Sequence, residues 1–471
     1  MNIINKIVNS GYCIGCGACS VAEPKSIKVN MNDYGQYEAK VISKNLDIKE
    51  LNICPFSDNS INEDAISDNL FKNKIEKNQY IGYYHSLYAG YVQEDNYREK
   101  ATSGGLISWI LCNLLMKGNI DYVIHVKENK ENNKILFKYD ISSSVAEILE
   151  GAKSRYYPVE ISKVLEHVKN KPGKYAFVGL PCFVKAVRLL MNEHSIIKSR
   201  VRYCIGLVCG HLKSKEFANF FAWQAGILPE KLKTIDFRLK LNNENANNYG
   251  VYLKNDENVE IIKPVQSFFG FNWRNNFFRC SACSYCDDVF AETADMVVGD
   301  AWLPEYINDP KGNSVVVVRN EDLAKIIDNG RNNNKLNLDV VTPTQVIESQ
   351  AGGIRDRREG LSYRLFLKQQ QNEWYPKKRV TPESNINERR KQIYDLRLKM
   401  EKMSHIVWQE AIQANSYDLF ENKLAAYIKQ ADSFYKVSVG KRIVQLLMKT
   451  VKNPIKMLKK LMHYLKTNKR I

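Results

Sequence analysis

Apolar positions along the chain alternate between two periods. Lys174–Leu180 (KYAFVGL) is apolar almost without a break, as a strand buried on both faces requires. The segment after it carries Val184, Val187, Leu190 and Met191 at helical spacing. Upstream, Leu87–Gln93 reads as a strand, Ala101–Ser108 opens an apolar helix running to Met116, and Ile120–Val126 is again a strand. The helix Ile161–Lys169, the strands Arg202–Val208, Met296–Val298 and Ser314–Arg319, and the helix Asp322–Asp328 continue the pattern. Strand and helix in alternation predict an α/β sheet. Thr234–Leu241 and Tyr249–Lys254, joined by the Asn-rich LNNENANN, predict a solvent-facing hairpin.

The two ends differ from this middle. Near the N-terminus, Ser26–Asn30 and Gln36–Ile42 flank Asn32-Asp33-Tyr34-Gly35 as the strands of a hairpin. After Glu383 the pattern is of charged helices. Beyond Pro454 a last segment places Ile455, Leu458, Leu461, Met462 and Leu465 on one side, with lysines elsewhere. The pattern therefore divides the 471 residues into an N-terminal module (1–75), a central α/β body (80–385) and a helical basic C-terminal region (386–471).

Composition changes this picture in one respect. The net charge is +17, but residues 436–471 hold 11 Lys or Arg and no Asp or Glu, which leaves +6 for the first 435. Basicity is thus a property of the tail, which predicts docking on an anionic membrane surface or a partner rather than specific nucleic-acid binding. No secretory signal or run of membrane-span length is present, so a cytoplasmic protein, peripheral at the inner face of the membrane through its tail, is expected.

Eleven cysteines in a chain without an export signal indicate metal or redox chemistry rather than disulfides. Cys13-Ile-Gly-Cys16-Gly-Ala-Cys19 is a CxxCxxC run whose small residues let backbone N–H groups approach sulfur. Where a bacterial ferredoxin has its fourth cysteine, this chain has Glu23 before Pro24. Cys54-Pro55 supplies the missing Cys-Pro, and the hairpin between would return it to the first three. The reading is one 4Fe–4S cluster on Cys13, Cys16, Cys19 and Cys54, with a four-thiolate zinc site as the alternative.

A second CxxCxxC, Cys280, Cys283 and Cys286, lacks a nearby fourth ligand. Cys182 and Cys209 both follow strands of the predicted sheet directly, and ligands collect outside the carboxyl ends of such strands. They are the expected recruits. Cys112 and Cys204 lie inside a helix and a strand and read as core. Ser103-Gly104-Gly105 begins a helix, with Ser103 the expected N-cap and the glycines open to a phosphate at the helix N-terminus. The loop Gly151–Pro158 brings Lys153, Ser154, Arg155 and Tyr156, a composition suited to a planar ring with a phosphate tail, and equally to a surface loop. His211, Asp295 and Asp300 are further candidates for orienting a cofactor, but no residue stands out as a catalytic proton donor.

Taken together, CIGCGAC, SGGLIS, GLPC, LVCG and CSYCDDVFAETADMVVGDAWLPEY resemble the coenzyme F420 hydrogenase/dehydrogenase beta-subunit family of iron–sulfur flavoproteins, over residues 8 to 350. The resemblance implies an FAD-binding body, to which Ser103, Gly104, Gly105, Lys153, Ser154, Arg155, Tyr156, Gly179 and Pro181 would contribute. It also implies a second 4Fe–4S cluster on Cys182, Cys209, Cys283 and Cys286, which leaves Cys280 either spare or a substitute for one of them. Electrons would pass between a ferredoxin or other redox partner, the clusters, FAD, and coenzyme F420 or an organic small-molecule acceptor. Some relatives are encoded among polysaccharide biosynthesis genes, which extends the substrates to consider. A non-catalytic electron-transfer subunit of a larger complex is the alternative of a different class.

Overall fold

The computed structural model describes residues 2–43, 52–131, 134–242 and 244–435. The predicted tail helix after Pro454 lies outside the described residues. Among them, no helix is long and apolar enough to cross a membrane.

The strands, in chain order, are β1 (Ile27–Met31), β2 (Tyr37–Val41), β3 (Ser86–Val92), β4 (Tyr122–Glu128), β5 (Phe137–Ser142), β6 (Tyr175–Gly179) and β7 (Val201–Leu207). They continue with β8 (Leu232–Leu239), β9 (Gly250–Asn255), β10 (Glu260–Pro264), β11 (Met296–Asp300), β12 (Ser314–Val318) and β13 (Leu336–Val340). Eight form one mixed sheet in the order β13-β3-β12-β11-β7-β6-β4-β5. The four central strands β11, β7, β6 and β4 run parallel to their neighbours within that set, and the flanking pairs are antiparallel. β8, β9 and β10 make a separate antiparallel sheet, one strand more than the predicted hairpin, and β1–β2 is the predicted N-terminal hairpin.

The apolar runs are explained by burial on both faces of the large sheet. All five residues of β6 are buried. Tyr175 and Phe177 enter one apolar cluster, while Ala176 and Val178 enter the other, with the helix α1 (Leu106–Met116) and its Trp109. Cys112 and Cys204 are fully buried in these cores, as expected of small apolar residues. The N-terminal residues Ile4, Ile7 and Ile14 belong to the same cluster as Phe183 and Phe217 of the body, so the cysteine-bearing end is packed onto the sheet layer.

Two buried arginines anchor the segment between Cys286 and β11. Arg188, on helix α2 (Pro181–Glu193), pairs with Asp295 at 2.8 Å, and the Asp295 carboxylate also accepts from the Cys204 amide at 2.7 Å. Asp295, a candidate for cofactor orientation, is thus occupied in structure. Arg319 donates to five carbonyls, those of Ile81, Tyr83, Phe290, Ala291 and Ala294, at 2.8–3.1 Å. Methionine would fill most of the volume and leave all five acceptors without that donor. Arg319→Met should lower the unfolding free energy by about 3 kcal/mol or more. Chemical denaturation checks this, and a loss below about 1 kcal/mol would mean the carbonyls find other partners.

Candidate functional site

Outside the carboxyl ends of β4, β6, β7 and β11 lies a cavity of about 240 Å³, bounded also by the start of α1, the loop after Glu150 and Trp273. Ser103, Gly105, Lys153, Ser154, Arg155 and Tyr156 all line it. Gly104, Gly179 and Pro181 do not, and Pro181 faces a smaller cavity instead. Ser103 is not the N-cap of α1: Gly105 holds that position at φ 86°, and the Ser103 hydroxyl donates to the Asn313 carbonyl at 2.7 Å. The glycine pair has a packing cause. A Cβ on Gly104 would sit 2.5 Å from the Gly90 carbonyl oxygen, and one on Gly105 would sit 2.8 Å from the Tyr97 carbonyl.

The cavity wall is rich in buried cations with spare donors. Arg155 has Nε and Nη1 unpartnered, its nearest carboxylate is Glu128 at 3.9 Å, and its guanidinium stands 4.9 Å from the Phe137 ring. Lys153 is paired with Asp236 at 3.1 Å, and the Ser154 hydroxyl meets that of Thr102 at 3.0 Å. Arg238, absent from the sequence reading, forms a two-pronged pair with Asp300 at 2.6 and 3.0 Å and keeps Nε free. Its signal was lost because it sits on β8, in a segment with no motif. His211 lines the cavity with Nε2 unpartnered, packed against Trp273 at 4.5 Å. Burial, then the nearby Lys213 charge, holds its pKa well below the usual histidine range, so the ring is neutral. An apolar hollow with unpaired buried donors fits an aromatic ring bearing an anionic tail.

The cysteines gather in two places. Cys13, Cys16, Cys19 and Cys54 line one small cavity with Ile4, Ile7 and Ala39. The amides of Gly15 and Ala39 each donate to the Cys13 sulfur at 3.4 Å. Gly15, at φ 63°, is required there: a Cβ would lie 2.2 Å from the Tyr37 carbonyl oxygen of β2. Cys182, Cys209, Cys283 and Cys286 line a second small cavity, together with Asp288 and Arg357. Leu212 donates its amide to the Cys283 sulfur at 3.2 Å. Cys280 lines neither. Arg357 escaped the sequence reading because the run Arg355–Arg358 looks like an ordinary charged surface. Here it is 2 % exposed, on a π-helical turn Asp356–Gly360.

Both sets suit a bulky cationic centre. Burial raises the thiol pKa of Cys54 and of Cys209 to about 12, against the opposing pull of the Phe56 amide and of Arg357. Cys16 and Cys182 are pushed up by burial and then by the other thiols of their sets. Four thiolates can therefore coexist in either place only around positive charge. Among the described residues, no three Cys, His, Asp or Glu side chains converge tightly enough for a single metal ion. That spread matches a cluster better than a zinc ion at the short Zn–S distance of about 2.3 Å.

The three cavities adjoin. Ile14 lines both cysteine cavities, while Leu180, Cys209 and Leu212 line both the second of these and the large cavity.

Family models for the coenzyme F420 hydrogenase/dehydrogenase beta subunit match this chain, the N-terminal one over residues 87–166 and the C-terminal one over 173–344. They span the large sheet, the large cavity and the second cysteine set, but neither the first cysteine set nor the helices after residue 387. The coenzyme F420-dependent sulfite reductase of Methanocaldococcus jannaschii is 24 % identical over 332 residues, 68 % of this chain. The chain spans about half, 46 %, of that relative's length. A chain of the F420-reducing [NiFe] hydrogenase complex of Methanosarcina barkeri aligns with a TM-score of 0.47 and 17 % identity, covering 61 % of this chain and 94 % of that one.

His125, at the cavity floor, gives a pH test. It is hydrogen-bonded to Ser142 at 2.8 Å, and burial, then the Lys127 charge, lowers its pKa to about 4. Unfolded, it takes up a proton near pH 6.5. Between these values the unfolded chain binds more protons, so stability is lost as pH falls from about 6.5 to 4. Full protonation of this one site is worth about 3 kcal/mol. His125→Gln should be less acid-sensitive than the wild type by that amount, as read by denaturation at pH 7 and pH 4.5. Parallel curves would show that the ring is protonated in the fold.

Proposed function

The chain belongs to the coenzyme F420 hydrogenase/dehydrogenase beta-subunit family, and on that premise we propose that it is an iron–sulfur flavoprotein oxidoreductase. In this reading Cys13, Cys16, Cys19 and Cys54 hold one 4Fe–4S cluster, Cys182, Cys209, Cys283 and Cys286 hold a second, and FAD occupies the large cavity. Clusters store single electrons and flavin exchanges them for a hydride, chemistry no side chain supplies. Electrons run from a ferredoxin-type donor to coenzyme F420 or another organic acceptor. The accompanying division is a ferredoxin-type module over 1–75, a flavin and iron–sulfur body over 80–385, and a helical extension over 386–471.

The observation that carries this reading is the series of shared walls. Ile14 separates the two cysteine sets, and Cys209 belongs to both the second set and the large cavity. Three sites for redox groups in contact, one after another, form a relay. The protein's own residues have distinct parts in it. Arg155, with Lys153 and Ser154 beside it, offers donors to a phosphate, Tyr156 and Trp273 supply aromatic walls, and neutral His211 offers a hydrogen bond between the cavity and Cys209. Arg357 offsets the negative charge of Cys209 and Cys286.

Anaerobic purification followed by iron, sulfide and flavin analysis tests the assignment, and recovery of zinc with neither iron nor flavin would sink it. Cys283→Ser should lose about half the iron while the spectrum of the N-terminal centre persists. Arg155→Gln should weaken FAD binding to the flavin-free protein ten-fold or more, since a charge-assisted hydrogen bond is worth about 1.5–3 kcal/mol. Equal affinities would remove Arg155 from the phosphate site. With dithionite or reduced ferredoxin as donor, an isolated chain that reduces F420 or any small acceptor is an enzyme. One that reduces none is an electron-transfer subunit, the reading that the cavity's unpaired donors disfavour.

A further inference from the structure

The two cysteine sets meet at a thiol that belongs to neither cavity. Cys280 is 4 % exposed. Its sulfur lies 3.7 Å from the Cys13 carbonyl oxygen, in donor geometry, and its thiol also hydrogen-bonds the Cys283 sulfur. The contacts around it belong to the same joint. Ser281 donates to the Gly11 carbonyl at 2.8 Å, and Tyr285 packs edge-on against Tyr12 with ring centroids 4.9 Å apart. Residues 280–285 thus carry residues 11–14, and Cys280 is the member that touches a cysteine on each side.

A ligand to either group would face a cavity, and Cys280 faces none. A mere space-filler would have no reason to point a sulfur at two acceptors. The carbonyl of Cys13 and the sulfur of Cys283 both accept, so the Cys280 thiol is the donor in either contact. A donor to a ligating sulfur spreads its negative charge and favours the reduced state of the group it holds, which raises the potential.

We propose that Cys280 is a positioning residue at the junction of the two redox sites and not a metal ligand: its thiol bridges the Cys13 carbonyl and the Cys283 sulfur, raises the potential of the centre held by Cys182, Cys209, Cys283 and Cys286, and links it to the N-terminal centre. This rests on the iron–sulfur reading above. The test uses the full chain, purified anaerobically as wild type, Cys280→Ala and Cys280→Ser, with iron content and an EPR-monitored redox titration of each centre. Both variants should keep the wild-type iron content. The body centre should shift to lower potential in Cys280→Ala and by less in Cys280→Ser, which restores a donor, while the N-terminal centre stays where it was. Loss of about half the iron in both variants would make Cys280 a ligand, and an unmoved body potential in Cys280→Ala would make it a filler. Either result overturns the proposal. A wild-type chain that binds no iron fails the iron–sulfur reading itself, a result separable from both.

Discussion

Parallel pairing of β6 with β7 sets Gly179 opposite Gly206, and the candidate site depends on that register. Three residues beyond each glycine stands a cysteine, so Cys182 and Cys209 leave the sheet side by side at the same edge. A slip of one residue would turn one of them to the other face. Gly206 also admits the loop that carries the remaining pair onto the sheet. A Cβ there would come within 2.4 Å of Ala291 and 3.1 Å of Ala294. The sheet therefore specifies half of the second cysteine set and the space for the other half.

What holds Cys283 and Cys286 against that edge is a group of buried charges. Arg279 donates to the Cys283 carbonyl at 2.6 Å, and Arg364 donates to the Ser284 carbonyl at the same distance. Asp356 neutralises both, at 3.2 and 3.1 Å, with Arg397 at 3.4 Å. Buried charges are tolerable only when paired in this way, and removing one partner strands the rest. The long helix Glu388–Gln413 closes the arrangement. Ser404 accepts from the Phe278 amide at 2.9 Å, and Glu401 accepts from the Ser284 hydroxyl at 2.7 Å. This helix lies beyond residues 87–344, the part matched by the family models, yet it braces the loop that the models include.

The periodicity in the sequence was sufficient to read the strands of the large sheet to within a residue or two, because double-sided burial leaves uninterrupted apolar runs such as Val315–Val318. It also brought the right cysteines together, since CxxC spacing and strand-end position are both local facts. Contacts between distant segments left no such trace. Ser103 has the composition of a cap, but its hydroxyl is taken by Asn313, 210 residues away. Gly104 and Gly105 look like a phosphate loop and are glycines because Gly90 and Tyr97 stand against them. Arg238 and Arg357 carry no motif at all. Their meaning comes only from being buried, and burial of a charged residue cannot be read from its neighbours in the chain.

The same point bears on how the cysteine sets differ in character. The first receives amide donors at Cys13 from Gly15 and Ala39, and has Lys185 and Lys378 within electrostatic reach of Cys54. The second receives one amide at Cys283 but has Arg357 acting on Cys209, Cys283 and Cys286 together. A fixed guanidinium that cannot lose its proton favours the more negative state of whatever these sulfurs hold at every physiological pH. Charge of that kind raises a potential relative to a site served by amide dipoles and more distant ammonium groups. On the proposed reading, then, the centre beside the large cavity is the more readily reduced of the two. Electrons entering at the N-terminal set would move downhill toward the cavity, and the direction of the relay follows from where the chain buries Arg357.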